Sequence, residues 1–212
     1  MIQHSFPTRR SSDLFPAIAC LPLLFFPRSA VKAVKVYTLT VSLIELGFAV
    51  LLFTHGTFPR VTDGRYTWIE GYGIRYELVM DGISMPLVML GIFLVPIVLL
   101  GSWKGIERHW PAFGASMLLL TTGVLGTLLA WDLFLFYIFW EVMLVPMYLI
   151  IGIWGGERRI YAAVKFFLFT MAGSLLMLVG ILWMACTFQR LNGGVWSFAY
   201  SDMLRLDFPV HQ

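Results

Sequence analysis

Three carboxylates and one lysine stand inside or against long apolar runs, and these are the side chains whose type and position can do chemistry. Glu141 lies within WDLFLFYIFWEVMLVPMYLIIGIW, Trp131 to Trp154, about halfway along a run of membrane length. An ionised carboxylate without a partner at that depth costs several kcal/mol. Such a group keeps its proton or finds a partner, and both options point to proton handling. In a helix, Tyr137 (four residues before) and Tyr148 (seven after) fall on nearly the same face and bring two hydroxyls to the acid. Pro146 has no N–H, which leaves the Val142 carbonyl free one residue from the acid. Broken helical ladders beside ionisable groups line wet cavities in transporters. Burial favours a protonated carboxyl and a neighbouring lysine favours an ionised one. A partner that approaches and withdraws would therefore load and unload a proton. The competing reading is an acid that stays protonated and only holds helices together.

Lys165 sits a little over one turn into the following apolar run, in IYAAVKFFLFT. Its plain reading is a side chain that snorkels to the interface. The sharper one is a modulator of Glu141 or part of a proton entry path, because a short connection makes the two helices antiparallel neighbours. Glu45, in TVSLIELGF, is also mid-span and has no evident partner in its own helix. It suits a proton role or packing against a polar neighbour. Asp132 follows Trp131 at a helix start, where an acid caps free N–H groups and suits the helix dipole. Gly123, Gly126 and Ala130, with Ala172, Gly173, Ser174 and Gly180, permit close helix packing and are read as carrying no chemistry. The methionines are read as lipid-facing or packing residues.

The elements that must position these residues are membrane spans. The chain is 59% hydrophobic and 13% charged with a mean hydropathy of +0.81, against about a quarter charged in soluble domains. At about 20 apolar residues per span, five full helices are predicted: Val36–Phe53, Ile83–Trp103, Phe113–Ala130, Leu133–Trp154 and Tyr161–Thr187. A shorter apolar stretch, Phe15–Phe26, precedes them. It reads as a first span missing its beginning, or as a signal peptide with Arg9 and Arg10 as its basic region. HSFPTRRSSDL, His4 to Leu14, looks like the translation of a sequencing adapter, so residues 1–14 are set apart as a probable artefact. The abrupt close at LRLDFPVHQ suggests an internal piece of a longer protein. The fold class is thus all-α integral membrane with six transmembrane helices, the first truncated, in one domain over residues 15–212.

The connections are short except the polar, aromatic-rich extramembrane loop at 54–82, where weak alternation around Ile74–Val79 suggests a small hairpin. Trp103, Trp110, Trp131, Trp154 and Trp196 fall near span ends, as in an interfacial belt. Arg28, Lys32, Lys35, Lys104, Arg108, Arg158 and Arg159 lie in three short connections, against Arg60, Arg65, Arg75, Arg190 and Arg205 on the other side. The denser set is placed in the cytoplasm. The basic residues form no stripe of the kind that binds nucleic acid. Cys20 and Cys186 form no CxxC pair, the four histidines are scattered, and GxGxxG, Walker A and HExxH are absent. Metal and cofactor-binding residues are therefore expected to be none.

WDLFLFYIFWEVMLVPMYLIIGIWGG, followed by YAAVKFFLFTMAGSLLML, resembles the chain M family of the proton-translocating NADH–quinone oxidoreductase, respiratory complex I, with mitochondrial chain 4 as its counterpart. The likeness extends to YELVMDGISMPLVML, SWKGIERHW and GVWSFAYSDML, nearly everything after Leu14. The resemblance implies an antiporter-like subunit of about fourteen helices, built on inverted repeats with broken helices. It implies that Glu141 matches the family's proton-translocation acid, which pairs with a lysine on the next, broken helix. Lys165 matches a lysine recurring on the family's sixth helix, and Glu45 has no family counterpart. The paired lysine and second repeat would lie beyond Gln212, so these residues hold the opening of a first half-channel and no redox centre. NADH, FMN, iron–sulfur clusters and quinone would belong to other subunits of the complex.

The function expected is coupling of quinone reduction to proton pumping through Glu141. The partners expected are other membrane subunits of complex I, lipid and protons, with no nucleic acid, in a bacterial inner (plasma) membrane. The alternatives are a multisubunit cation/proton antiporter, the membrane arm of an energy-converting hydrogenase, and a structural membrane scaffold.

Overall fold

Long apolar runs, bounded by polar, glycine or proline-bearing connections, fold as five long helices: α1 (Val31–Thr54), α2 (Ser84–Gly101), α3 (Trp110–Leu129), α4 (Leu133–Trp154) and α5 (Arg159–Leu191). The computed structural model describes residues 16, 18–24, 31–54, 66–106 and 109–206. Among these, five helices are long and apolar enough to cross a membrane. The adapter-like residues 1–14 lie outside the described set. Of the stretch read as a truncated sixth span, residues 18–20 are helical and Leu21–Leu24 form a 3-10 turn packed on α3.

The ends differ from expectation where the flanking residues are polar but helix-compatible. α1 begins at Val31 rather than Val36, because lysines at 32 and 35 propagate a helix as well as apolar residues do. α5 runs 33 residues to Leu191 instead of stopping at Thr187. At 1.5 Å per residue it is about 50 Å long, more than a hydrocarbon core of about 30 Å.

Neighbouring helices pack in chain order, α1 also meets α3, and α3 lies between α1 and α4. Outward faces are apolar: Phe93 and Leu100 on α2, Phe169 and Leu176 on α5 are all exposed. In lipid such faces need no cover. At one end, Lys35 Nζ donates to the Trp103 carbonyl (2.7 Å) and sits 4.9 Å from the Trp110 ring centre. Trp110 is 1% exposed and meets Phe113, which meets Trp154. Trp110 therefore departs from the interfacial-belt expectation: it plugs the bundle end.

At the other end the polar connections join. β1 (Tyr66–Ile69) and β2 (Ile74–Tyr76) form an antiparallel hairpin, the one two-stranded sheet among the described residues. The hairpin begins earlier than the alternation around Ile74–Val79 suggested, because its first strand is Tyr66–Ile69. Gly73 turns it with φ 62°, and any Cβ there would strike the Trp196 carbonyl. Val79 N–H donates to Leu129 O and Trp131 N–H to Glu77 O. Leu133 N–H donates to Phe198 O and Tyr200 N–H to Trp131 O, which fastens the short helix α6 (Tyr200–Met203) beside the same turn.

Candidate functional site

The site is built on α4, and α4 is started by Asp132. Its backbone is extended (φ −122°, ψ 129°), and its Oδ1 accepts from the N–H groups of Phe134 and Leu135 at 3.0 and 3.1 Å. Its Oδ2 accepts from Arg75 N–H at 3.1 Å, so one carboxylate caps the helix and anchors β2. Asp132 is 1% exposed, and burial pushes its carboxyl above the usual carboxylate range while the three N–H groups pull against that shift. The capping role read from the sequence is what the geometry shows; the bond to Arg75 is added by the fold.

α4 is held tightly on both sides. Gly126 lies against the Phe139 ring and Gly123 against Met143, positions where no Cβ fits. On the opposite side a Cβ at Gly152 would come 3.5 Å from that of Ala163, and Tyr148 meets Phe167 edge-on at 5.6 Å. These two pairs set an antiparallel register between α4 and α5 that places Glu141 level with Ser174. Ser174 is 4% exposed, and its hydroxyl donates to Met171 O at 2.9 Å.

Glu141 is half-buried, and its Oε1 is buried with no hydrogen-bond partner. The Tyr137 side chain hydrogen-bonds to the Glu141 carboxyl from one turn earlier. Tyr137 itself packs on the cluster of Ile181, Ala185 and Phe198. The stripe of Tyr137, Glu141, Tyr148 and Gly152 thus faces α5, and the carboxyl is enclosed by protein on one side. An orphaned buried acceptor costs about 1–3 kcal/mol, and such groups occur where water, a proton or a moving partner is used. Pro146 is fully buried in the same helix, five residues on.

Lys165 does not reach this carboxyl. Its side chain is exposed, with Nζ 5.8 Å from the Tyr161 ring centre. By the α4–α5 register it stands about nine residues, ~13 Å, along the axis from Glu141. Glu45 is 5% exposed on α1, which packs on α2 and α3. Ser174, read from sequence as mere packing, is the hydroxyl that the fold sets opposite Glu141. Its position among small residues gave no signal, because only the inter-helix register selects it. Pro96, buried in α2, is a second helix-interior proline that sequence reading passed over. Among the described residues no group of three His, Cys, Asp or Glu side chains is placed to hold a metal ion.

Residues 130–192, which contain all of α4 and α5, match the family model described as NADH:quinone oxidoreductase/Mrp antiporter, TM. Over 209 residues the chain is 34% identical to NAD(P)H-quinone oxidoreductase chain 4 3 of Picosynechococcus sp., covering 97% of this chain and 37% of that one. It is 44% identical over 143 residues to NADH-quinone oxidoreductase subunit M of Escherichia coli, covering 65% of this chain and 28% of the relative. In structure it is similar to a chain of respiratory complex I from Thermus thermophilus with bound NADH: TM-score 0.75, 25% identity, covering 95% of this chain and 40% of that chain. The chain therefore spans well under half the length of the relatives it matches.

Proposed function

The chain is a homologue of the subunit M and chain 4 membrane subunits of quinone oxidoreductases, and from that premise we propose that it translocates protons through Glu141. The observation that carries this reading is the Glu141 carboxyl itself: mid-span, turned toward α5, hydrogen-bonded by Tyr137 and left with one buried oxygen unsatisfied. A carboxyl in that setting gains most from a proton or from a cation that comes and goes. Tyr137, one turn earlier, orients it through its hydrogen bond, and Ser174 of α5 lies at its level. Quinone reduction in other subunits of an assembled complex would shift the acid between its two charge states. The chain itself supplies protein walls and the carboxyl, and the redox groups reside in partner subunits. Lys165, about 13 Å away along the helix axis, acts as an electrostatic modulator near the basic end. The membrane is the plasma membrane of a bacterium, and the arrangement corresponds to the opening of an antiporter-like repeat.

The test is Glu141→Gln in the complete protein within its assembled complex. The expected result is loss of proton pumping with assembly retained. Pumping at the wild-type rate would overturn the reading. The second reading is a subunit of a cation/proton antiporter, favoured by the family description that covers both classes. Dependence of transport on sodium with no response to quinone would select it. A pure scaffold predicts no transport change in Glu141→Gln.

A further inference from the structure

GVWSFAYSDML, one of the segments that carry the family resemblance, has no part in the reading of Glu141. After α5 ends at Leu191 the chain turns back, and residues Trp196 to Met203 lie across the start of α4 as a strap. Leu133 N–H donates to Phe198 O (2.9 Å) and Tyr200 N–H to Trp131 O (3.0 Å), while Asp132 and Ala199 pair as an isolated antiparallel bridge. Ser197 Oγ donates to Asp202 Oδ2 (2.6 Å), and Arg75 Nη1 stands 4.0 Å from the same oxygen, which joins the strap to β2. The Trp196 carbonyl rests against Gly73 of the hairpin turn.

Held in this way, the strap carries Phe198, 3% exposed, into the end of the α4–α5 seam. There it meets the Phe134 ring edge-on at 5.7 Å and packs in one cluster with Ile74 of β2, Ile181 and Ala185 of α5, and Met203. Phe134, Tyr137 and Glu141 share one stripe of α4, and Met177, Ile181, Ala185 and Phe188 continue the α5 stripe beyond Ser174. The register that sets Glu141 level with Ser174 also sets Phe134 level with Ile181. Along these stripes, from Glu141 to the hairpin end, the one polar side-chain group is the Tyr137 hydroxyl, and it bonds to Glu141 itself. Glu141 lies eight residues past Leu133, or ~12 Å along the axis. A proton crossing that distance needs a file of water or hydroxyls, and an apolar constriction stays dry.

We propose that Phe198, carried by its strap, plugs the α4–α5 seam and keeps water at the hairpin end away from Glu141. An acid that loads and unloads protons must meet water from one side at a time. Contact with both sides at once would let protons run down their gradient. The plug's purpose therefore rests on the reading of Glu141 as the proton-carrying acid. Its geometry does not, because the buried cluster closes the seam whatever the acid does.

The experiment uses the complete protein in its assembled complex, in sealed vesicles, and follows the decay of an imposed pH gradient with no NADH added. The variants are Phe198→Ala, Phe198→Leu, and Phe198→Ala combined with Glu141→Gln. Faster decay is expected in Phe198→Ala and wild-type decay in Phe198→Leu, whose side chain keeps the plug apolar and filled. In the double variant the leak should disappear. Ile181→Ala opens the same plug from α5, should leak likewise, and serves if Phe198→Ala fails to assemble. Wild-type decay in Phe198→Ala, or in Ile181→Ala used in its place, would overturn the proposal. So would a leak that persists in the double variant, because its route would bypass Glu141. The reading of Glu141 fails by a different measurement, pumping retained in Glu141→Gln alone.

Discussion

Asp132 and Glu141 are nine positions apart on one helix and show how environment sorts two carboxyls. Asp132 receives three backbone N–H groups and is a structural device; Glu141 keeps one buried oxygen open. Because burial raises the Asp132 carboxyl, the folded protein binds its proton more tightly than the unfolded chain does. Its contribution therefore favours folding most below the ordinary carboxylate range and declines as pH rises toward the raised value, then levels off. Asp132→Asn keeps an oxygen for the Phe134 and Leu135 N–H groups, loses the acceptor for Arg75 N–H, and should flatten that slope in thermal unfolding of detergent-solubilised protein. Asp132→Ala should lose about 1–3 kcal/mol at neutral pH, since it orphans the Arg75, Phe134 and Leu135 donors together. A slope that survives in Asp132→Asn would assign it to another group. The capping role was legible because an acid after Trp131 precedes a long apolar run; the bond to Arg75 N–H was not, because it joins residues 57 apart.

At the scale of elements, the contact between α3 and α4 depends on what is missing from α3. Gly126 leaves room for the Phe139 ring and Gly123 for Met143. Helices in lipid gain little from apolar burial between them, so close backbone approach and van der Waals contact carry the association. Gly126→Leu should cost about 1–3 kcal/mol by overpacking and lower the melting temperature in detergent. Gly180→Leu, on α5 where no neighbour lies within 4 Å, serves as the control and should leave it unchanged. Equal effects would remove the packing argument. Sequence reading placed all these glycines in one class; the structure separates those in contact from those facing outward.

For the whole molecule, the sharp feature is an asymmetry of ends. One end is closed by the Lys35–Trp103–Trp110–Trp154 cluster, the other by the hairpin, the Trp131–Asp132 turn and α6. Short basic connections lie at the first end, which the bias of lysine and arginine puts in the cytoplasm. Single cysteines at Gly105 and Gly156 should react with an impermeant thiol reagent only from the cytoplasmic side. Cysteines at Gly71 and Gly193 should react only from the other. Labelling of Gly71 and Gly105 from one side would contradict the bundle's up-and-down course.

What the sequence determined by itself was local and one-dimensional: apolar length made the spans, Asp132 started α4, and the motif around Glu141 carried the family resemblance. These signals need only neighbours along the chain, which is why Leu133–Trp154 was placed to the residue. The tertiary structure alone decided which side chains share a level. It set Ser174 level with Glu141, kept Lys165 away from it, and buried Trp110 and Glu45. In a bundle that is apolar on every side, helix rotation and register are fixed by small-residue contacts between helices, and no periodicity within one helix records them.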